Sequence, residues 1–558
     1  MASIFSKFNV FETKPRNGIG NSLGVLPSLF LFACGGGDKK NGQKPFDGLI
    51  SSYIPPKSDF TKPTENDQNF KILLEPAPDP YWVNSLLMDD WENQIVKDVQ
   101  DNESFIYFSF PKIEPTYITY PVVNWGPANT DLLEAGRETF ILLNQVLETK
   151  FVEIETSNGN NIISIAQSSQ TGTSGFSYFP NNFFELGSDV FISYSYSNPD
   201  FISDTLTNYD YEVLVHELGH SLGLKHPFES DQTNEAVLSS AEDNTEHTVM
   251  SYTDLPNTFS GTYRSLDWMA LTKIYGVNDT FNNGDNEYFF SSKIGQFIID
   301  GAGIDTINAS KEEAPVTIDL RPGGHSFIEN RAEYITHPNQ LTISNDTFIE
   351  NVYSGPHSDK IIANGSNNTI LTGLGDDEIF LGEGKDTVAS GAGFDTIDCS
   401  EEQQAQDTII FESTHSLTGF DTIFGFKQGE NGDYLVIEDY VDTSVTLLPV
   451  LLLSDIPLGY ISNHILRIVG EEMDSASNVI NSFQQIQALS KLNFVEDKGI
   501  LLLTAKTKNT GEDQNLFLVT KYDNTYEANT IAKFIGNYLD IDLWSSSNFS
   551  NTNLDFVA

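Results

Sequence analysis

Two cysteines, Cys34 and Cys399, are all that 558 residues contain. That excludes a disulfide framework and any zinc site built on thiolates. A bound metal must then be held by histidine, carboxylate or backbone oxygen. Basic residues are scarce too, 30 against 79 acidic, for a formal net charge of −49. Such a surface repels the phosphates of nucleic acid and the headgroups of anionic membranes, which argues against both as partners. Long apolar runs are also missing. The stretch from Leu23 to Ala33 is too short to span a bilayer as a helix. "VTLLPVLLL" at 445–453 is short and broken by Pro449, and reads as a buried strand.

A length of 558 residues exceeds one core and implies several domains. Residues 1–79 form a leader. Lys7, Lys14 and Arg16 precede the Leu23–Ala33 run, which ends "LFACGGGD", a small residue and a cysteine where a lipoprotein signal would be cut. A lipid anchor at Cys34 and a disordered leader both stay open. From Cys34 to about Asp79 no periodicity persists, as in a tether or pro-segment.

Residues 80–276 read as a compact α+β unit. "SFIYFSFP" at 104–111 is a strand, and the segment from Asn129 to Lys150 repeats apolar residues every three to four positions, an amphipathic helix. "FVEIET", "NIISIAQ", "SGFSYFP" and "DVFISYSY" then give short strands divided by Gly, Asn and Pro turns. A mixed sheet backed by helices is the expected layering.

From about residue 277 the texture turns to Gly, Asp and Asn with isolated aliphatics. Residues 355–399 fall into five consecutive nine-residue frames: GPHSDKIIA, NGSNNTILT, GLGDDEIFL, GEGKDTVAS, GAGFDTIDC. The fifth position is Asp359, Asn368, Asp377, Asp386 or Asp395; the seventh is always aliphatic. Glycines at the first and third positions let the backbone turn and present carbonyls, the aspartate supplies hard oxygen, and the aliphatic residue faces inward as a short strand. Stacked, such turns share several structural calcium ions, with Asp359, Gly373, Gly375, Asp377, Gly382, Gly384, Asp386, Gly391, Gly393 and Asp395 as the candidate ligands. The first two frames lack the third-position glycine and read as weak calcium turns or a cap. An outlying copy, "GAGIDTI", begins at Gly301. An all-β parallel roll over 277–440, followed by a β-rich region over 441–558 ("GILLLTAKTK", "NLFLVTKYD"), is the expectation.

Only nine histidines occur, and three lie in "EVLVHELGHSLGLKHPFE", Glu212 to Glu229. Thr207 and Asp210 make a capping box for a helix reaching about Gly223. His216 and His220 are one turn apart on one face, and Gly223 lets the chain turn back to bring His226 to a third position. Three neutral nitrogens with an open fourth place are the catalytic kind of zinc site, and Glu217 lies to the side of the pair.

The motif H-E-x-x-H-x-x-G-x-x-H, followed by "TVMSY" with Met250, "DWMALTKIYGVN" and the nine-residue frames, resembles the serralysin family of secreted bacterial metzincin proteases. The resemblance covers about Tyr81 to Tyr440. It implies one catalytic zinc on His216, His220 and His226, Glu217 as general base and then acid, Tyr252 as a fifth ligand that moves to stabilise the oxyanion, and Met250 as an apolar floor. It implies a metzincin-like catalytic domain before the calcium roll, and an extracellular endopeptidase acting on proteins or peptides. It also implies export by type I secretion machinery, whose signal the terminal "LDFVA" resembles. An extended substrate would pair with an edge strand, for which Ser174 to Pro180 is the candidate. Two alternatives remain: a calcium-binding surface or matrix protein with an inactive protease domain, and a protease kept at the cell surface by lipid on Cys34.

Overall fold

The computed structural model describes residues 81–438, with breaks at 89–94, 96–104, 119–121, 156–161, 171–173, 181–185, 194–207, 231–233, 256–260, 402–404, 412–420 and 427–432. Outside that span it describes strand residues at 29–30, 446–447, 464–469, 500–505, 514–522, 525–535 and 554–557. The capping residue Thr207, the lipid-anchor candidate Cys34 and most of "VTLLPVLLL" lie outside the described residues. Among those described, no helix is long and apolar enough to cross a membrane.

The first half is a mixed sheet on helices, as the alternating pattern predicts. A one-turn helix, α1 (Tyr81–Asn84), precedes strands β1 (Phe105–Ser109) and β2 (Gly126–Pro127), helix α2 (Thr130–Val146), and strands β3 (Lys150–Glu153), β4 (Ile162–Ser168), β5 (Gly175–Ser177) and β6 (Val190–Ser193). The order is β3-β1-β4-β6-β5. All neighbours are parallel except β5, which runs antiparallel to β6 at the edge, and β2, which pairs antiparallel with β4. Asn129 caps α2 by accepting from Leu132 N at 2.8 Å, worth about 1 kcal/mol. Leu132, Ala135, Phe140, Leu143 and Val146 form its buried face, and Phe140 stacks on Phe108 of β1 at a centroid distance of 3.8 Å. Helices α3 (Asn208–Ser221) and α4 (Ser265–Tyr275) complete this core, α4 being buried almost throughout.

The second half is a parallel roll of two sheets. Successive frames alternate between sheets, so each strand pairs in parallel with the one two frames away: Ile361 opposes Ile379, which opposes Ile397, while Ile370 opposes Val388. Those five seventh-position side chains are fully buried and line one apolar seam. A side-chain period of two in three-residue strands leaves room for one inward residue per turn, which is why the frame carries one invariant aliphatic site. The outlying copy at Gly301 joins the same seam: Ile307 opposes Val352 and Tyr288. The first two frames are interior turns rather than a cap, because Val316–Asp319 and Asn351–Tyr353 stack before them. These two frames stack although they lack the third-position glycine.

The two halves share side chains. Phe297, Ile299 and Ile335 of the roll belong to the apolar cluster that contains Trp82, Leu266 and Met269. Buried Glu242 accepts from Tyr81 Oη at 2.8 Å and from Thr336 Oγ1 at 3.3 Å, tying α1, the segment after α3 and the roll together. Beyond the frames, the strands Ile500–Ala505, Gln514–Tyr522 and Thr525–Ile535 form an antiparallel meander on one sheet, and Leu554–Val557 extends the other beside Tyr434–Glu438. Leu29–Phe30 pairs with Gln296–Phe297.

Candidate metal centre and active site

Helix α3 carries His216 and His220 on one face, their rings perpendicular with centroids 4.9 Å apart. The chain then reverses at Gly223, whose φ of +94° suits glycine and where a Cβ would lie 2.4 Å from Ile95 Cδ1. Leu224 N closes the turn on Gly219 O at 2.8 Å, and the reversed chain delivers His226. Its Nε2 stands 3.1 Å from His220 Nε2, and one nitrogen from each of the three rings lies within 4.8 Å of the others.

The backbone sets the tautomers. His216 Nδ1 donates to Val249 O and His220 Nδ1 to Leu224 O, both at 2.7 Å, so each neutral ring directs the Nε2 lone pair at the shared point. Burial lowers the pKa of His216 to about 4 and that of His220 well below its usual value. His226 Nδ1 stands 3.1 Å from Glu229 Oε1. Three imidazole nitrogens that can converge on one point, with no thiolate beside them, suit zinc.

Glu217 is buried beside the three rings. Burial raises its pKa to about 7, opposed by the hydrogen bond that Ser177 Oγ of β5 donates to Oε2 at 2.8 Å. Gly175 makes the room: a Cβ there would stand 2.8 Å from Glu217 Cγ. Met250 is fully buried under α3, with Sδ 2.5 Å from where a Cβ on Gly219 would sit. The Tyr252 ring lies 4.5 Å from that of His226 and is 66% exposed. Exposed aromatics flank the histidines: Phe228 stacks on His226 at 5.1 Å, and Phe179 meets His220 edge-on at 5.5 Å. Ser177 and Gly175 fall in the strand expected to pair with substrate, but their contact with Glu217, like the place of Phe228, carries no periodic signal in the sequence.

The roll aspartates form two ladders. On one, Asp359 N donates to Asp377 Oδ1, Asp377 N to Asp395 Oδ1 and Asp395 N to Asp421 Oδ1, at 2.7, 2.9 and 3.4 Å. On the other, Asn368 N donates to Asp386 Oδ1 and Asp386 N to Asp407 Oδ1, at 2.7 and 3.0 Å. Each rung spends one oxygen, and Oδ2 of Asp377, Asp386 and Asp395 is buried without a hydrogen-bond partner. Burial raises the pKa of Asp386 to about 8 and of Asp395 to about 7. Orphaned buried carboxylate oxygens are what a hard divalent cation would satisfy. Asp359 differs from the other three, because Val316 N and Gly355 N occupy both its oxygens at 2.8 and 3.1 Å. The glycines between the ladders are pressed close: Gly373, Gly375, Gly382, Gly384 and Gly391 all take positive φ, and a Cβ on Gly393 would lie 1.8 Å from Gly375 O.

Two family models match the chain. The peptidase family described as pregnancy-associated plasma protein-A covers residues 148–285, and the RTX calcium-binding nonapeptide repeat, four copies, covers 358–397. Curated relatives include serralysin of Proteus mirabilis, 28% identical over 303 residues, which are 48% of this chain and 60% of that protein. Serralysin of Photorhabdus luminescens is 27% identical over 351 residues, 58% of this chain and 68% of the relative. The chain thus spans 60% of the length of the Proteus protein. A metallopeptidase domain implies catalytic zinc, and RTX repeats imply structural calcium. With the histidine centre in the first half and the aspartate ladders in the second, the chain is similar to the serralysins and carries RTX calcium-binding nonapeptide repeats.

Proposed function

We propose that the protein is a calcium-stabilised zinc endopeptidase of metzincin type that cuts extracellular proteins. The observation carrying this reading is the convergence of His216, His220 and His226 beside a buried Glu217 under an edge strand. The three histidines hold the zinc, which when bound polarises the scissile carbonyl. Glu217 takes a proton from the attacking water and passes it to the leaving amine; a pKa near 7 suits both transfers. The Tyr252 hydroxyl donates to the carbonyl oxygen as it gains charge. Strand β5, which ends the sheet among the described residues, offers its outer edge to an extended substrate, whose backbone adds as a further strand.

The division into leader (1–79), catalytic domain (80–276), calcium roll (277–440) and β-rich region (441–558) accompanies this reading. So do the calcium ligands, with Asp377, Asp386, Asp395 and the carbonyls of the neighbouring glycine turns as the main set. Release from a bacterium by type I export accompanies this reading, on the likeness to the serralysins. Mass spectrometry of the mature N-terminus separates release from lipid anchoring at Cys34.

Hydrolysis of casein by the calcium- and zinc-loaded chain, with Glu217→Ala in parallel, tests the function. The parent should cut while the variant keeps zinc and loses turnover. If both hold zinc and neither cuts after removal of residues 1–79, the protein is a binding protein instead.

A further inference from the structure

Asp267 is a fully buried carboxylate outside the histidine motif, in the first turn of α4. Its Oδ2 accepts from Arg264 N at 2.8 Å, a bond within its own helix terminus. The rest of its capacity points elsewhere. Oδ2 also accepts from Val249 N at 2.9 Å, and Oδ1 accepts from Thr248 Oγ1 at 2.6 Å. Thr248 Oγ1 in turn accepts from Met250 N at 3.0 Å. Val249, whose N–H is held on one side, presents its C=O on the other to His216 Nδ1 at 2.7 Å. Arg264 closes the circuit: its Nη2 grips Glu212 Oε1 and Oε2 at 2.9 and 3.0 Å, and Glu212 lies one turn before His216 on α3. The path from Asp267 through Val249 to His216, and through Arg264 and Glu212 back to α3, is a ring of hydrogen bonds across three segments distant in sequence.

We infer that Asp267 is a positioning residue of the metal centre: by gripping the Thr248–Met250 turn it aims the Val249 carbonyl at His216 and so fixes that ring's tautomer and direction. The inference rests on the zinc reading of the three histidines. A carboxylate that only capped α4 would have no reason to hold Thr248 and Val249. A carbonyl free to swing would let His216 rotate or exchange tautomer, and its Nε2 would leave the shared point.

Zinc affinity, measured by chelator competition on the full calcium-loaded chain, tests this without relying on turnover. Asp267→Ala should weaken zinc by about 10–100-fold, the usual cost of removing a group that orients a ligand, and Asp267→Asn, which keeps one acceptor, should fall between it and the parent. The absorption bands of the cobalt-loaded variants should shift from those of the parent, a signature that loss of a helix cap alone would not move. A folded Asp267→Ala that binds zinc within about twofold of the parent, with an unchanged cobalt spectrum, overturns the inference. If Asp267→Ala does not fold, Asp267→Asn and Thr248→Val decide it by the same criterion. A parent that binds no zinc would remove the protease reading itself, a distinct result.

Discussion

Ser177 Oγ donates to Glu217 Oε2 at 2.8 Å, which fixes the edge strand and the glutamate of the histidine helix to each other. The bond favours the ionised carboxylate against the burial that raises its pKa to about 7. In Ser177→Ala that support is gone and the pKa climbs further. The acid limb of the pH–rate profile for casein hydrolysis should therefore move to higher pH, with activity lost most at pH 6 and least at pH 9. An unmoved limb would mean that Glu217 is not the group titrating there.

The ladder aspartates predict opposite pH dependences with and without calcium. Burial raises their folded pKa above the unfolded value, to about 7 for Asp395 and about 8 for Asp386. Their contribution to the metal-free roll is therefore fully present below about pH 4 and is lost as pH rises through about 7 to 8. Calcium binds the ionised form, so with calcium present stability should rise over that same interval. Thermal melting between pH 4 and 8, in chelator and in millimolar calcium, should give slopes of opposite sign; parallel slopes would remove these aspartates as ligands.

Glu242 joins three parts of the molecule, and replacing it by glutamine leaves Tyr81 Oη and Thr336 Oγ1 competing for one carbonyl oxygen. The loss should be about 2 kcal/mol, in the range for breaking a buried polar network. Calorimetry should show the parent's transition dividing into two as the first half and the roll uncouple. A single transition merely shifted downward would mean that the shared apolar cluster alone binds the halves.

Gly393→Ala puts a methyl group 1.8 Å from Gly375 O, backbone that cannot move without breaking the ladder. The roll should lose about 1–3 kcal/mol, a typical cost of overpacking, and calcium affinity should fall with it. Circular dichroism during a calcium titration measures both. Gly365→Ala is the control, since a Cβ there meets nothing within 4 Å.

What could be read from the chain was what the chain keeps local. His216, His220 and His226 sit at offsets that one helix and one glycine turn convert directly into geometry, and each nine-residue frame contains its own turn and inward aliphatic residue. Ser177, Glu242 and Asp267 meet partners 40, 94 and 18 residues away, and no spacing rule connects them. Asp407 and Asp421 extend the ladders but follow steps of 21 and 26 residues instead of 18, so extra residues hide them from the frame. Asp359 looks like its neighbours in the sequence because a motif gives the residue and not the hydrogen bonds, one to each of its oxygens, that set it apart.

The 18-residue step from one rung to the next has a mechanical meaning. Each rung is held chiefly by its two neighbours, so the roll behaves as a one-dimensional stack whose ends peel before its middle. Drawn out by force, the nine-residue frames should yield in repeated equal jumps, each paying out 18 residues, about 60 Å of extended chain. Calcium would set the force of every jump and leave its length unchanged.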